Sequence, residues 1–125
     1  MTLDNSDRIR ETVTRYLDLI ANGTSADVAA LYAPDATLED PVGTEPKHGR
    51  EAIEKFYAAL DAVRNTTELL TIRVSGNTAA FHFRVVTDTG EQTITIEPID
   101  VMTFDDQARI TSMRAIWSPT DMVVA

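Results

Sequence analysis

After Asn65 the hydrophobic period of this chain switches from helical to alternating and does not switch back. Upstream, Ile9, Val13, Tyr16, Leu17 and Ile20 recur at helical spacing and stop at Asn22-Gly23, a good C-terminal signal. Thr24, with Asp27 three residues on, caps a second, short helix whose Val28, Leu31 and Tyr32 lead to a stop at Ala33-Pro34. Ala36, Leu38 and Asp40 then alternate with Thr37 and Glu39 as a brief strand, before Pro41, Gly43 and Pro46 impose a loop. A third helix from about Arg50 carries Ile53, Phe56, Tyr57 and Leu60 on one face. Downstream the alternation reads as four strands, 67–75, 78–88, 91–105 and 109–117, joined by Gly76-Asn77, Thr89-Gly90 and Asp105-Asp106, which suit tight hairpins. Helices first and an antiparallel meander after them make an α+β pattern: three helices packed on one face of a strongly curved, mostly antiparallel sheet that can wrap a pocket. Pro98 has no N–H to give a ladder, so the longest strand is expected to bulge or to present an unpaired edge there.

A chain of 125 residues with 43% hydrophobic residues is expected to form one domain, 1–125, around one core. At this length folding buries roughly two-thirds of the surface of the unfolded chain, so no disulfide or metal staple is needed. There is no cysteine, which removes thiolate catalysis and Cys-ligated zinc and agrees with a reducing compartment. Twenty Asp and Glu against eleven Lys and Arg give a net charge of -9, and no basic run occurs, so neither nucleic acid nor an anionic membrane surface is an expected partner. No apolar stretch has the length of a membrane span, and Met1-Thr2-Leu3-Asp4-Asn5 lacks the order of a signal peptide; a cytoplasmic protein is expected.

The informative residues are polar ones on apolar faces, because a buried polar group costs stability unless a partner or a function retains it. Asp100 shares strand parity with Ile94, Ile96, Met102 and Phe104, so alternation points its carboxyl into their apolar space. A bulge at Pro98 would instead shift the register and leave Asp100 solvated, and the pattern alone does not choose between the two. Buried without a cation, Asp100 would hold its proton and serve as a hydrogen-bond donor. Asp40 sits on the face of Ala36 and Leu38, but Asp before Pro is also a common turn opening, and local sequence favours that plainer reading. All three tyrosines, Tyr16, Tyr32 and Tyr57, fall on inward helical positions, where a shared hydroxyl network is the economical way to satisfy them. His48 and His82 lack the spacing of a metal pair, no G-x-S-x-G elbow occurs, and no Gly-rich phosphate loop is present. Met113 and Trp117, at matching parity in the last strand, suit either a core or a cavity wall.

Several of these pieces recur together in one known family. Tyr16, Leu38-Glu39-Asp40-Pro41-Val42-Gly43, His48-Gly49-Arg50-Glu51, Phe56-Tyr57, Phe83-Arg84-Val85 and Pro98-Ile99-Asp100-Val101-Met102 before Phe104 resemble the bacterial ketosteroid isomerases in order and spacing, over about Ile9 to Trp117. The resemblance implies a cone-shaped α+β fold of the cystatin-like, nuclear-transport-factor-like kind, a homodimer packed through the sheets, a steroid as the small-molecule substrate, and no metal or organic cofactor. It also implies roles: Asp40 as general base, Tyr16 and Asp100 as oxyanion donors, and Tyr57 and Tyr32 as the network behind Tyr16. Phe56, Phe83, Val85, Val101, Met102, Met113 and Trp117 would contact the steroid. The reaction implied is a steroid delta-isomerisation, moving a proton from C4 to C6 through a dienolate. Two other readings remain within the same fold. A non-catalytic binding or dimerisation module would need no isolated carboxyl at Asp100, and a polyketide cyclase or epoxide hydrolase would want further polar residues around the base.

Overall fold

The structure, a computed structural model, describes residues 5–125. Met1 to Asp4, which carry most of the expectation about a signal peptide, lie outside the described residues. Helix α1 (Asn5–Asn22) buries Ile9, Val13, Tyr16 and Leu17 along one stripe and ends as the Gly23 N–H bonds the Leu19 carbonyl at 2.8 Å. Helix α2 (Ser25–Ala29) opens with a full capping box between Thr24 and Asp27, an arrangement worth about 1 kcal/mol. It stops earlier than the hydrophobic pattern suggested. Strand β1 (Tyr32–Glu39) begins at once and runs through Ala33-Pro34. The reason lies in pairing: the register of β1 slips between Tyr32 and Thr37, so Pro34 falls where no ladder pair has to be made. Tyr32 is therefore delivered by a strand and not by a helix, though it is fully buried all the same.

Strand β2 (Lys47–His48) precedes helix α3 (Arg50–Tyr57), which tightens into a 3-10 turn over Ala58–Ala62 that carries Leu60. The remaining strands are β3 (Arg64–Ser75), β4 (Thr78–Asp88), β5 (Thr93–Ile96), β6 (Ile99–Phe104), β7 (Ile110–Ile116) and β8 (Val123–Val124). Gly76, with φ of 58°, turns the β3–β4 hairpin where a side chain would be strained. The sheet runs β2-β1-β7-β6-β4-β5-β8, with β3 on the other edge of β4. All pairings are antiparallel except β1 with β7. Two-residue strands β2 and β8 are created by their partners and carry no periodic signal of their own.

The long strand expected over 91–105 is two strands in series on one edge of β4. Val85 faces Ile96 and His82 faces Ile99, three residues apart on both sides, so no residue is inserted between them. Pro98 interrupts the ladder without shifting it, and its carbonyl accepts from the Phe83 N–H at 3.2 Å. The bulge considered from sequence is absent, and the parity from Ile94 to Phe104 holds. Inner-face residues Phe81, Met102, Ile110 and Met113 pack with Ile9, Val13, Val28 and Ile53 to form the core. Among the described residues no helix is long and apolar enough to cross a membrane.

Candidate active site

The core fills one end of the curved sheet and leaves a cavity of about 320 Å³ at the other, within the range of small-molecule sites. Strand alternation puts Asp100 on its wall between Phe81 of β4 and Ala115 of β7, the residues it faces in the two neighbouring ladders. Asp100 is 2% exposed, and among the described residues its Oδ1 has no hydrogen-bond partner. Burial pushes its carboxyl well above the ordinary carboxylate range, and the nearby charge of Asp40 adds to the rise. That direction favours the protonated acid, which can offer an O–H.

Asp40 follows the last residue of β1, ahead of a cis peptide bond to Pro41, and lines the same cavity. Trp117, just past β7, donates its indole N–H to Asp40 Oδ1 at 2.7 Å. The parallel pairing of β1 with β7 brings them together, although 77 positions separate them. Burial raises the Asp40 carboxyl, and the indole N–H draws it back down. Asp100 has no such donor. The two carboxyls therefore differ in the ionised fraction they hold at a given pH, with Asp40 the more ionised.

Tyr16 reaches the cavity from α1, edge-on to Phe81 at 6.2 Å between ring centres. Its hydroxyl lies 3.0 Å from that of Tyr57, which lies 2.7 Å from that of Tyr32. All three phenols are buried and pushed well above their ordinary value, chiefly by desolvation, so all three stay protonated at neutral pH. Either oxygen of each pair can be the donor, so the three hydroxyls form one connected chain that meets the cavity at Tyr16 and Tyr57. With Tyr57 as the donor to Tyr16, the Tyr16 O–H is left to donate into the cavity.

Of the residues expected to contact a ligand, Phe56, Phe83, Val85 and Trp117 line the cavity. Three are placed elsewhere. Val101 has the opposite parity to Asp100 and faces Arg114 on the outer side of the sheet. Met102 and Met113 share the inner face but pair with each other at the filled end, where they are wholly buried in the core. Tyr32 stands behind Tyr57 and does not reach the cavity. Sequence reasoning passed over Asn65, Thr87, Ile96 and Pro98 on the wall. Thr87 has the parity of Phe83 and Val85, and Ile96 that of Asp100, so alternation carried the signal for both. Among the described residues no three His, Asp or Glu side chains form a group that could hold a metal ion.

Residues 13–113 match the family model of the SnoaL-like domain. The chain belongs to this family. Over 119 residues it is 58% identical to a Steroid Delta-isomerase of Nocardioides simplex, covering 95% of this chain and 97% of that one, which puts it in the ketosteroid isomerase branch its motifs resemble. Among solved structures it superposes on SalBIII, an epoxide hydrolase/cyclase-like enzyme of pyran ring formation in the polyether salinomycin, with a TM-score of 0.88 and 25% identity over 95% of this chain and 97% of the other. It superposes on RV0760c of Mycobacterium tuberculosis with a TM-score of 0.86 and 19% identity over 100% and 99% of the two chains, a likeness of fold.

Proposed function

We propose that the protein is a steroid delta-isomerase that converts 3-oxo-5-ene steroids to their conjugated 3-oxo-4-ene isomers. The observation that carries this reading is the convergence of Tyr16, Asp40 and Asp100 on one largely apolar cavity, with the two carboxyls held at different protonation tendencies. The 58% identity to a Steroid Delta-isomerase supports it.

In the first step the Asp40 carboxylate takes a proton from C4, which lies between the carbonyl and the 5,6 double bond. The electron pair of that C–H bond moves into the ring system and places negative charge on the 3-oxygen. Tyr16 and protonated Asp100 donate hydrogen bonds to that oxygen as its charge develops, so they stabilise the dienolate more than the ketone. Protonated Asp40 then gives its proton to C6, and the double bond is left in conjugation. No electron or atom is exchanged with any other reagent. Because one carboxyl serves both carbons, it has to reach across one face of the rings with water kept away, and the apolar wall of Phe56, Phe83 and Val85 does this. The indole N–H of Trp117 holds Asp40 in place and keeps it ionised.

Epoxide hydrolysis or cyclisation would ask for a polar set that positions a water beside the base. The hydrogen-bonding neighbour of Asp40 is Trp117, which only donates. A homodimer formed through the outer face of the sheet agrees with Ile99 and Ile116, which pair there and are 44% and 51% exposed. Work in the cytoplasm agrees with the absence of cysteine. Incubation with androst-5-ene-3,17-dione while following the ultraviolet absorbance of the conjugated enone tests the reading. A rise well above the buffer rate is expected, and folded protein that gives no such rise would exclude it.

A further inference from the structure

At the end of the cavity away from Asp100 a second polar pair has no part in the chemistry described so far. Asn65, in β3, faces Thr87 of β4 in the ladder, and both side chains line the cavity. Asn65 is 4% exposed. Its Oδ1 accepts from the Thr87 hydroxyl at 2.8 Å, and among the described residues no acceptor takes its Nδ2. Asn65 Nδ2 is not among the fully buried unpartnered atoms of the described residues, so it keeps access to the open cavity and can donate to a ligand there. With the Thr87 hydroxyl donating to the oxygen, the end of the amide left for the cavity is a donor.

The pair stands at a telling distance from the reacting end. Asp100 faces Phe81, and Thr87 lies six residues further along β4 on the same face. At about 3.3 Å per residue this is at most about 20 Å, and less across the curve of the sheet. A four-ring steroid spans about 12 Å between oxygens on C3 and C17, and a hydrogen bond of about 3 Å at each end brings the total to about 18 Å. With its 3-oxygen at Tyr16 and Asp100, such a molecule lies along Phe83 and Val85 and ends at Asn65.

We propose that Asn65, oriented by Thr87, reads the far end of the steroid by donating from Nδ2 to an oxygen acceptor on C17. The site then selects 17-oxo steroids over their 17-deoxy counterparts. This inference rests on the isomerase reading of the same cavity. The bond at C17 is the same in substrate, dienolate and product, so it contributes binding that appears in KM and not in kcat.

The test compares androst-5-ene-3,17-dione with androst-5-en-3-one, which differ only in the oxygen on C17. The native protein is expected to favour the dione by about five- to tenfold in kcat/KM, nearly all of it in KM. Asn65→Leu is expected to bring that ratio close to one. Thr87→Val, which leaves β3 intact and frees the amide to turn, should lower it part of the way, and it serves if Asn65→Leu does not fold. A preference for the dione that survives both variants, or an equal loss on both substrates, overturns the proposal. A binding measurement separates it from the isomerase reading: estrone and 17-deoxyestrone are titrated against the fluorescence of Trp117, the only tryptophan in the chain. If the native protein isomerises neither ketone but prefers estrone, and Asn65→Leu loses that preference, the isomerase reading falls and the role of Asn65 stands. If turnover is present and the native protein binds both phenols equally, the role of Asn65 falls and the isomerase reading stands.

Discussion

Asp40 and Asp100 occupy two regions built on different lines. Asp100 sits in β6, flanked by β4 and β7, on a wall where no side chain among the described residues donates to its Oδ1. Asp40 sits where β1 has ended and the chain turns away, less deeply buried and held by an indole N–H. Desolvation raises both carboxyls, and the Trp117 bond opposes the rise at Asp40 alone. One residue type thus supplies two carboxyls of different ionisation tendency on one cavity, matching the base and the oxyanion donor of the proposed reaction. Position in the sheet sets how much water is lost, and a single N–H sets which carboxyl ionises more readily.

The comparison breaks first at Asp40. Asp40→Asn removes the proton acceptor and is expected to lower kcat on androst-5-ene-3,17-dione by on the order of 10³-fold or more. Phenols that mimic the dienolate should still bind, since Tyr16 and Asp100 are untouched. A variant that keeps turning over within tenfold of the native rate assigns the base elsewhere.

Asp100→Leu comes next, with a loss in kcat of about 10²–10³-fold and a folded state more stable by about 1–2 kcal/mol near neutral pH, because an unpartnered carboxyl is replaced by an apolar side chain. The pH dependence sharpens the point. A carboxyl whose value is raised on folding binds its proton more tightly in the folded chain. Its contribution is most favourable below the unfolded value of about 3.8 and is lost as pH climbs toward the raised folded value. The stability gap between Asp100→Leu and the native protein should therefore widen with pH across that window in urea unfolding. A constant gap would mean that Asp100 is not buried as a proton holder.

Trp117→Phe acts on the opposing bond. Without the indole N–H the Asp40 carboxyl rises, so the acid limb of the kcat/KM profile should move to higher pH, with a several-fold loss of activity below the limb and little change above it. An unmoved limb would detach Trp117 from the tuning of the base. The smallest effect belongs to Tyr32→Phe, which takes a hydrogen-bond partner from Tyr57 but leaves the bond between Tyr57 and Tyr16. A few-fold fall in kcat and about 1 kcal/mol of stability are expected, read by turnover and thermal unfolding.

Much of this was legible in the order of residues. The change of period at Asn65 placed the long antiparallel strands after α3, the Thr24–Asp27 cap is present, and Asp100 takes the inward one of the two orientations that the sequence leaves open. What periodicity misjudged has local physical causes. Tyr32 carries a helical pattern, yet β1 takes it because pairing with β7 outweighs a weak five-residue helix. Pro98 suggested a slipped register, yet the two halves of the strand share one partner, β4, which keeps them in step. Val101 was grouped with its neighbours by motif, although its parity already turned it outward. Met102 and Met113 have the parity of the cavity but stand at the filled end, and parity records a side of the sheet without recording depth along it.

The sequence by itself determined the class of fold and the faces of most of its elements, because these follow from spacings of two and of three to four residues that any window of the chain displays. Pro98 leaves the aim of Asp100 open, and the unshifted ladder with β4 decides it. Only the tertiary structure decided that Trp117 meets Asp40, that three tyrosines bond in series, that Asp100 is left without a partner at Oδ1, and that Asn65 and Thr87 stand at the far end of one cavity. Those contacts join residues far apart in the chain, and the order of strands in a curved sheet sets them. No local period encodes that order.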